Sequence, residues 1–233
     1  MKKTQKIPVA HFSEEDDFLL EQMWYNGYIG FCEEGFSLKC GGQSHVFIGV
    51  RDQASDNATR ASLLVRIGTK IIRTILDARD EMGRRGKLLK VPRLIGVAEA
   101  GNTLAEATAL MAAVSMLLDV RYIPTRSRSR KGRWIDAGGG SDFDDWLIEN
   151  ATTTGGSIER LMKRIGRQGF RGSDISLLIF VDRDQGALER LREQFKQVIV
   201  CYYLHDLAIR YGPGTFNLKL WSNHMVRKVL AEM

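Results

Sequence analysis

The chain has 233 residues, 44% hydrophobic and 27% charged, which is the balance of a folded, water-soluble protein and excludes a disordered one. A net charge of +6 and a pI near 9.3 favour anionic partners (phosphates, nucleotides or nucleic acid) without choosing among them. Cys32, Cys40 and Cys201 lack metal-ligand spacing and cannot all pair, so the chain is expected to be cytoplasmic with free thiols and no protein metal site. The start, "MKKTQKIPVAHF", is basic with no apolar run behind it, so no secretory signal is expected. The most apolar stretch, "LAEATALMAAVSMLL", is too short for a membrane span and carries Glu106; it reads as a buried helix. With neither linker nor repeat, one domain is expected over 1–233. Its parts would be a helix and hairpin to about 55, an α/β core to about 211 and a C-terminal helix from 212.

In chain order, Ser13 is a candidate N-cap for a helix over Glu14 to Tyr25, whose first turn is acidic. "GFSLKCGGQSHVFIGV" reads as strand, Gly-Gly turn, strand. Ala58 to Arg79 carries Leu63, Leu64, Ile67, Ile71, Ile72 and Ile75 at helical spacing. Then the rhythm becomes strand–helix alternation. "VPRLIGVA" is a strand and Thr103 to Leu118 a helix; "VRYIP" is a strand, followed by a basic, Gly-rich loop from Thr125 to Ser141. "DWLIE" is a strand, Gly155 to Gln168 a helix, "DISLLIFVD" a strand, Gly186 to Lys196 a helix and "VIVCYY" the last strand, with helices after it. Such alternation predicts an α/β fold, a mainly parallel central sheet flanked by helices, with ligands outside the carboxyl ends of the strands.

One of those ends is "ENATTTGGS", Glu149 to Ser157. Gly155 and Gly156 allow a sharp turn and close backbone approach. The helix start leaves amides unspent and carries partial positive charge. Thr152, Thr153, Thr154 and Ser157 add hydroxyls, which together make a phosphate cradle. The lysine of a Walker-type loop is missing, so a nucleoside triphosphatase is not indicated. Glu149 and Asn150 can bond adjacent hydroxyls, so phosphate and diol together describe a ribose 5-phosphate.

This segment resembles the phosphoribosyl diphosphate (PRPP) motif of type I phosphoribosyltransferases. With "GFSLKCGGQSHVFIG", "VDRDQG" and "VIVCYYLHDLAIRY" in order, the chain resembles orotate phosphoribosyltransferase from about Phe18 to Tyr211. The resemblance implies the type I phosphoribosyltransferase fold with a small N-terminal hood hairpin. It also implies transfer of ribose 5-phosphate from PRPP to orotate in pyrimidine nucleotide biosynthesis, Mg²⁺ held mainly through PRPP, and a homodimer.

By that resemblance Thr152 to Ser157 would hold the 5-phosphate, and Glu149 and Asn150 the ribose hydroxyls. Lys39 would lie near base and pyrophosphate, Phe47 and Ile48 would line the base site, and Arg183 would face the orotate carboxylate, a good bidentate pairing.

The chain departs from the family pattern in three places. Asn150 stands where a second acid is usual and brings no charge toward Mg²⁺. Glu99 and Ala100 occupy a segment where a lysine is usual. "TRSRSRKG", Thr125 to Gly132, keeps the basic character of the catalytic loop but little of its order. Arg126 would then join the phosphate-binding residues, with Arg128, Arg130 and Lys131 as catalytic substitutes. Arginine is a good anion clamp but a poor proton donor, and Lys131 could act as an acid only with a depressed pKa.

The alternative is a catalytically impaired relative that binds PRPP or a nucleoside monophosphate in a regulatory or other role. For "RSRSRKGRW" a solvated mobile loop is the reading preferred over nucleic-acid binding. His205 is expected at the surface, the tryptophans in packing roles, and only Trp134 near a ligand.

Overall fold

The computed structural model describes residues 12–37, 43–49, 57–84, 90–130, 132–139, 142–211 and 223–231. Helix α1, Glu14–Tyr25, begins at a capping box in which Ser13 and Asp16 satisfy each other's amides at 3.1 Å. Asp16 also accepts from the Tyr202 hydroxyl at 2.5 Å and pairs with Lys70 at 2.7 Å. Burial opposes its charge, but the bonds from Lys70, Tyr202 and Ser13 hold its carboxyl below the usual range. A single cap residue thus also fastens α1 to the last strand of the sheet and to helix α2.

Strands β1, Ile29–Ser37, and β2, Gln43–Ile48, pair antiparallel as the expected hairpin. Helix α2 runs from Asn57 to Arg84, longer than the expected span, and buries Leu63, Ile67, Ile71, Ile72 and Ile75. Strands β3 (Val91–Gly96), β4 (Arg121–Ile123), β7 (Phe143–Thr152), β8 (Ile175–Asp182) and β9 (Gln197–Tyr203) form a sheet in the order β4-β3-β7-β8-β9. Every neighbouring pair is parallel.

Strand β8 is buried along its whole length, which is why it reads as an unbroken apolar run. Its side chains divide with period two. Leu178 and Phe180 enter the core under α1, α2 and helix α3 (Ala100–Met116). Leu177 and Ile179 enter the core on the other face, under helices α4 (Gly156–Ile165) and α5 (Leu188–Gln194). Helices α6 (Leu204–Tyr211) and α7 (Asn223–Ala231) follow the last strand. Among the described residues no helix is long and apolar enough to cross a membrane.

Several expectations are corrected. The segment after β4 is not a loop throughout: β5, Thr125–Arg130, and β6, Arg133–Ile135, form a second antiparallel hairpin that turns at Gly132, φ +77°. Its pairing is carried by main chain and by Arg126 bound to Asp136 across the strands, so no apolar alternation announces it. Helix α3 starts at Ala100, three residues before the expected Thr103. The starts and ends of α4 and α5 are trimmed relative to expectation, with short 3₁₀ turns at 166–168 and 172–174.

Candidate active site

The carboxyl ends of β3, β7 and β8 lie side by side, and α3 and α4 begin just beyond the first two. Glycines let the elements close up there. A Cβ on Gly101 would sit 2.3 Å from the Ile148 carbonyl oxygen, and one on Gly96 would sit 2.3 Å from Asn102 Cα. The N-terminus of α3 is thereby seated on the ends of β3 and β7. Asn102 then fixes the root of the β5–β6 hairpin, accepting from the Thr125 amide at 3.0 Å and donating to its carbonyl at 2.7 Å. The Thr125 hydroxyl donates to the Gly96 carbonyl at 2.5 Å.

Between the strand ends and the hood hairpin opens a cavity of about 460 Å³. One wall is the cradle: Thr153, Thr154, Gly156 and Ser157 face it. Gly155, at φ +75°, packs instead against Leu191 and Ala187, and its left-handed backbone turns the chain into α4. The α4 N-terminus has no side-chain cap, and among the described residues none accepts from the amides of Thr154, Gly155, Gly156 or Ser157. Thr152 is buried beneath with its hydroxyl oxygen unpartnered.

Glu149 and Asn150 form the floor, 7% and 6% exposed. Glu149 accepts from the Ser157 hydroxyl at 2.8 Å and from the Asn150 amide at 2.9 Å, so its carboxylate is already oriented. Asn150 Nδ2 reaches the Ile48 carbonyl at 3.4 Å, a long bond to the hood, while its Oδ1 is buried without a partner. A buried acceptor beside a cavity is satisfied by a donor placed in that cavity, such as a ligand hydroxyl.

The opposite wall comes from Ala98, Glu99 and Ala100, with Ile48 and Arg183 on the hood side. Arg183 is 5% exposed and donates through Nη1 to Ser44 Oγ and the Val46 carbonyl, both at 2.7 Å. It therefore also fastens the hairpin to the end of β8. Phe47 is a correction: Ser44, Val46 and Ile48 face inward on β2, so Phe47 points to the other face and folds toward Gly49 instead of lining the cavity. The hairpin residues Arg126 and Arg128 do not line the cavity either. Arg126 is held by Asp136, and Arg128 is exposed. The side chain of Arg130, and Lys39 and Lys131 altogether, lie outside the described residues. Trp134 is covered by Arg164, 4.1 Å from its ring centre, and does not face the cavity.

His205 is corrected as well. Only 17% of its side chain is exposed, and its ring nitrogens meet Asp184 at 2.8 Å and Asp206 at 2.9 Å. Nearby, burial first and Asp184 second push the Asp182 carboxyl up to about 7. Arg160 was missed. It sits on the first turns of α4, lines the cavity, and brings Nη1 within 3.5 Å of where a Gly156 Cβ would stand.

Orotate phosphoribosyltransferase from Francisella tularensis superposes at a TM-score of 0.64, over 94% of this chain and 96% of that one, at 16% identity. The chain has the type I phosphoribosyltransferase fold. UMP synthase of Leishmania donovani carries the same architecture at a TM-score of 0.66 and 19% identity over 92% of this chain, which spans 41% of that longer protein. Mycobacterium tuberculosis orotate phosphoribosyltransferase in complex with inorganic phosphate matches at 0.57 and 17% identity, over 84% of this chain and 99% of its own length. No protein-family model and no curated protein sequence matches the chain. Within the phosphoribosyltransferase fold the cavity occupies the position that open α/β sheets give their ligands, at the carboxyl edge of adjacent parallel strands. Among the described residues no group of three His, Cys, Asp or Glu is arranged to hold a metal ion.

Proposed function

We propose that the protein is a phosphoribosyltransferase of the orotate type, transferring ribose 5-phosphate from PRPP to orotate to give orotidine 5′-monophosphate and pyrophosphate. The observation that carries this reading is the uncapped α4 N-terminus, which opens onto a cavity whose floor is the pre-oriented Glu149. The cradle would bind the 5-phosphate, with Glu149 and the Asn150 Oδ1 accepting from ribose hydroxyls. Arg183 would meet the orotate carboxylate from the hood side. The pyrimidine nitrogen would form the new bond to C1 as the C1–oxygen bond breaks and the diphosphate leaves with the electron pair. Positioning and stabilisation of the departing charge would be the protein's share, the latter through Arg128, Arg130 and Lys131 of the basic segment "TRSRSRKG".

Mg²⁺ fits this site only as a passenger. Glu149 is the one acid of the floor pair, so the ion would be held mainly through PRPP oxygens and would neutralise diphosphate charge there. Loss of orotate absorbance on adding protein to orotate, PRPP and Mg²⁺ is the expected result; an unchanged signal at high protein concentration would overturn the reading. A homodimer belongs to the same reading, and sedimentation of the purified chain tests it.

A second reading is supported by Glu99 on the cavity wall and by the amide, in place of an acid, at Asn150. In it the protein holds a nucleoside monophosphate without efficient turnover. Calorimetry with PRPP, UMP and OMP separates the two: tight monophosphate binding with no turnover favours the second.

A further inference from the structure

We infer that Arg160 is a ligand of the 5-phosphate, adding a full side-chain charge to a cradle that otherwise works through amides and hydroxyls. This rests on the proposal that the cavity holds a ribose 5-phosphate. Residue 160 lies four positions after Gly156, one turn along the same face of α4. Helical side chains lean toward the N-terminus, so an arginine there naturally reaches back over the amides of the first turn. The structure has that geometry. A Cβ at Gly156 would lie 3.5 Å from Arg160 Nη1 and 3.8 Å from Thr154 Oγ1, so guanidinium and hydroxyl flank one point above the glycine. Gly156 leaves that point open.

The neighbouring charges are arranged so that Arg160 is not neutralised. Glu159, the acid beside it in sequence, is engaged by Arg190 at 2.6 Å. Arg190 also donates to the Thr154 carbonyl at 2.5 Å, which holds the loop in its cradle shape. Among the described residues no carboxylate pairs with Arg160, although it is exposed and lines the cavity. A second sign that the site expects a polar ligand is independent of the helix end: Asn150, 6% exposed and on the cavity floor, leaves Oδ1 unpartnered. A phosphomonoester is doubly charged above its second pKa near 6, and a planar guanidinium can meet two of its oxygens at once.

The test is calorimetric titration of the full chain with ribose 5-phosphate and, separately, with uridine. Arg160→Gln is expected to weaken ribose 5-phosphate about tenfold, the value of one exposed charge-assisted contact, and to leave uridine unchanged. Arg160→Lys should recover part of the loss. Between pH 7.5 and 5.5 the wild-type affinity should fall as the phosphate takes up a proton, and the fall should be smaller in Arg160→Gln, a difference that a merely structural role would not produce. Equal ribose 5-phosphate affinity in wild type and Arg160→Gln overturns the assignment while leaving the functional reading intact. A wild type that binds no ribose 5-phosphate overturns both.

Discussion

Asp182 closes β8 with 1% of its surface exposed and its Oδ1 without a hydrogen-bond partner. Burial, reinforced by Asp184, raises its pKa from 3.8 to about 7. The folded chain therefore holds a proton on this group across the interval from about 4 to 7, where the unfolded chain has released it. Protons bound preferentially by the native state stabilise it at low pH, so this contribution is complete below the unfolded value and is lost as pH rises through about 7. Asp182→Asn keeps the shape and removes the titration. Urea unfolding at pH 5.5 and pH 8 should show the wild type losing stability relative to the variant on going to the higher pH. Parallel behaviour of the two proteins would mean that the carboxyl ionises normally. The group lies next to Arg183, so the same comparison reports whether the hood side of the cavity carries an extra negative charge at neutral pH.

At the scale of elements, the seating of α3 is the contact with least slack. An added methyl at Gly101 would meet the Ile148 carbonyl oxygen at 2.3 Å, and backbone on both sides cannot swing away. Gly101→Ala should lower stability by about 1–3 kcal/mol, read as a drop in denaturant midpoint at constant m-value. Gly166→Ala is the control: its backbone is helical, at φ −56° and ψ −32°, and a Cβ there meets nothing within 4 Å. That change should be neutral or stabilising by about 0.4–1 kcal/mol, since it restricts only the unfolded chain. The glycine contacts also show what the sequence could and could not disclose. Strand–helix alternation was legible because β8 and its neighbours bury continuous apolar runs. The cradle was legible because small residues and hydroxyls cluster between a strand and a helix. The start of α3 was not, because an early Ala-Gly-Asn turn of helix has weak propensity and is held by packing on β3 and β7. The β5–β6 hairpin was missed because Thr-Arg-Ser-Arg-Ser-Arg offers no apolar face, although its alternation is that of a strand. Arg160 could have been found by counting one helical turn from Gly156, and Phe47 excluded because it stands one residue from Ile48 on β2 and so on the opposite face.

Across the whole molecule, the hood hairpin is joined to the sheet by apolar contacts of Tyr28, Ile29, Val46 and Ile48 with the core and, among the described residues, by polar ties from Asn150 and Arg183 at the cavity. One is the long bond from Asn150 to Ile48. The other is stronger: Arg183 places a buried charge against Ser44 and the Val46 carbonyl at 2.7 Å each. The residue that would meet the base is thus also the residue that sets the height of the hood over the strand ends, so base recognition and hairpin order share one side chain. Arg183→Met keeps most of the apolar stem but removes both charge-assisted bonds, leaving the Val46 carbonyl only the longer bond from the Ser44 hydroxyl at 3.2 Å, a loss of about 1–3 kcal/mol confined to one contact region. Local opening of the hairpin should follow, because the sheet beneath is held by its own parallel ladders and by two separate cores. Hydrogen exchange should accelerate roughly tenfold or more for amides in 29–37 and 43–48, while those in 175–181 remain protected. Unchanged exchange in the hairpin would mean that the Arg183 tie does not hold the hood in place, and equal acceleration in both segments would mean that Arg183 stabilises the domain as a whole.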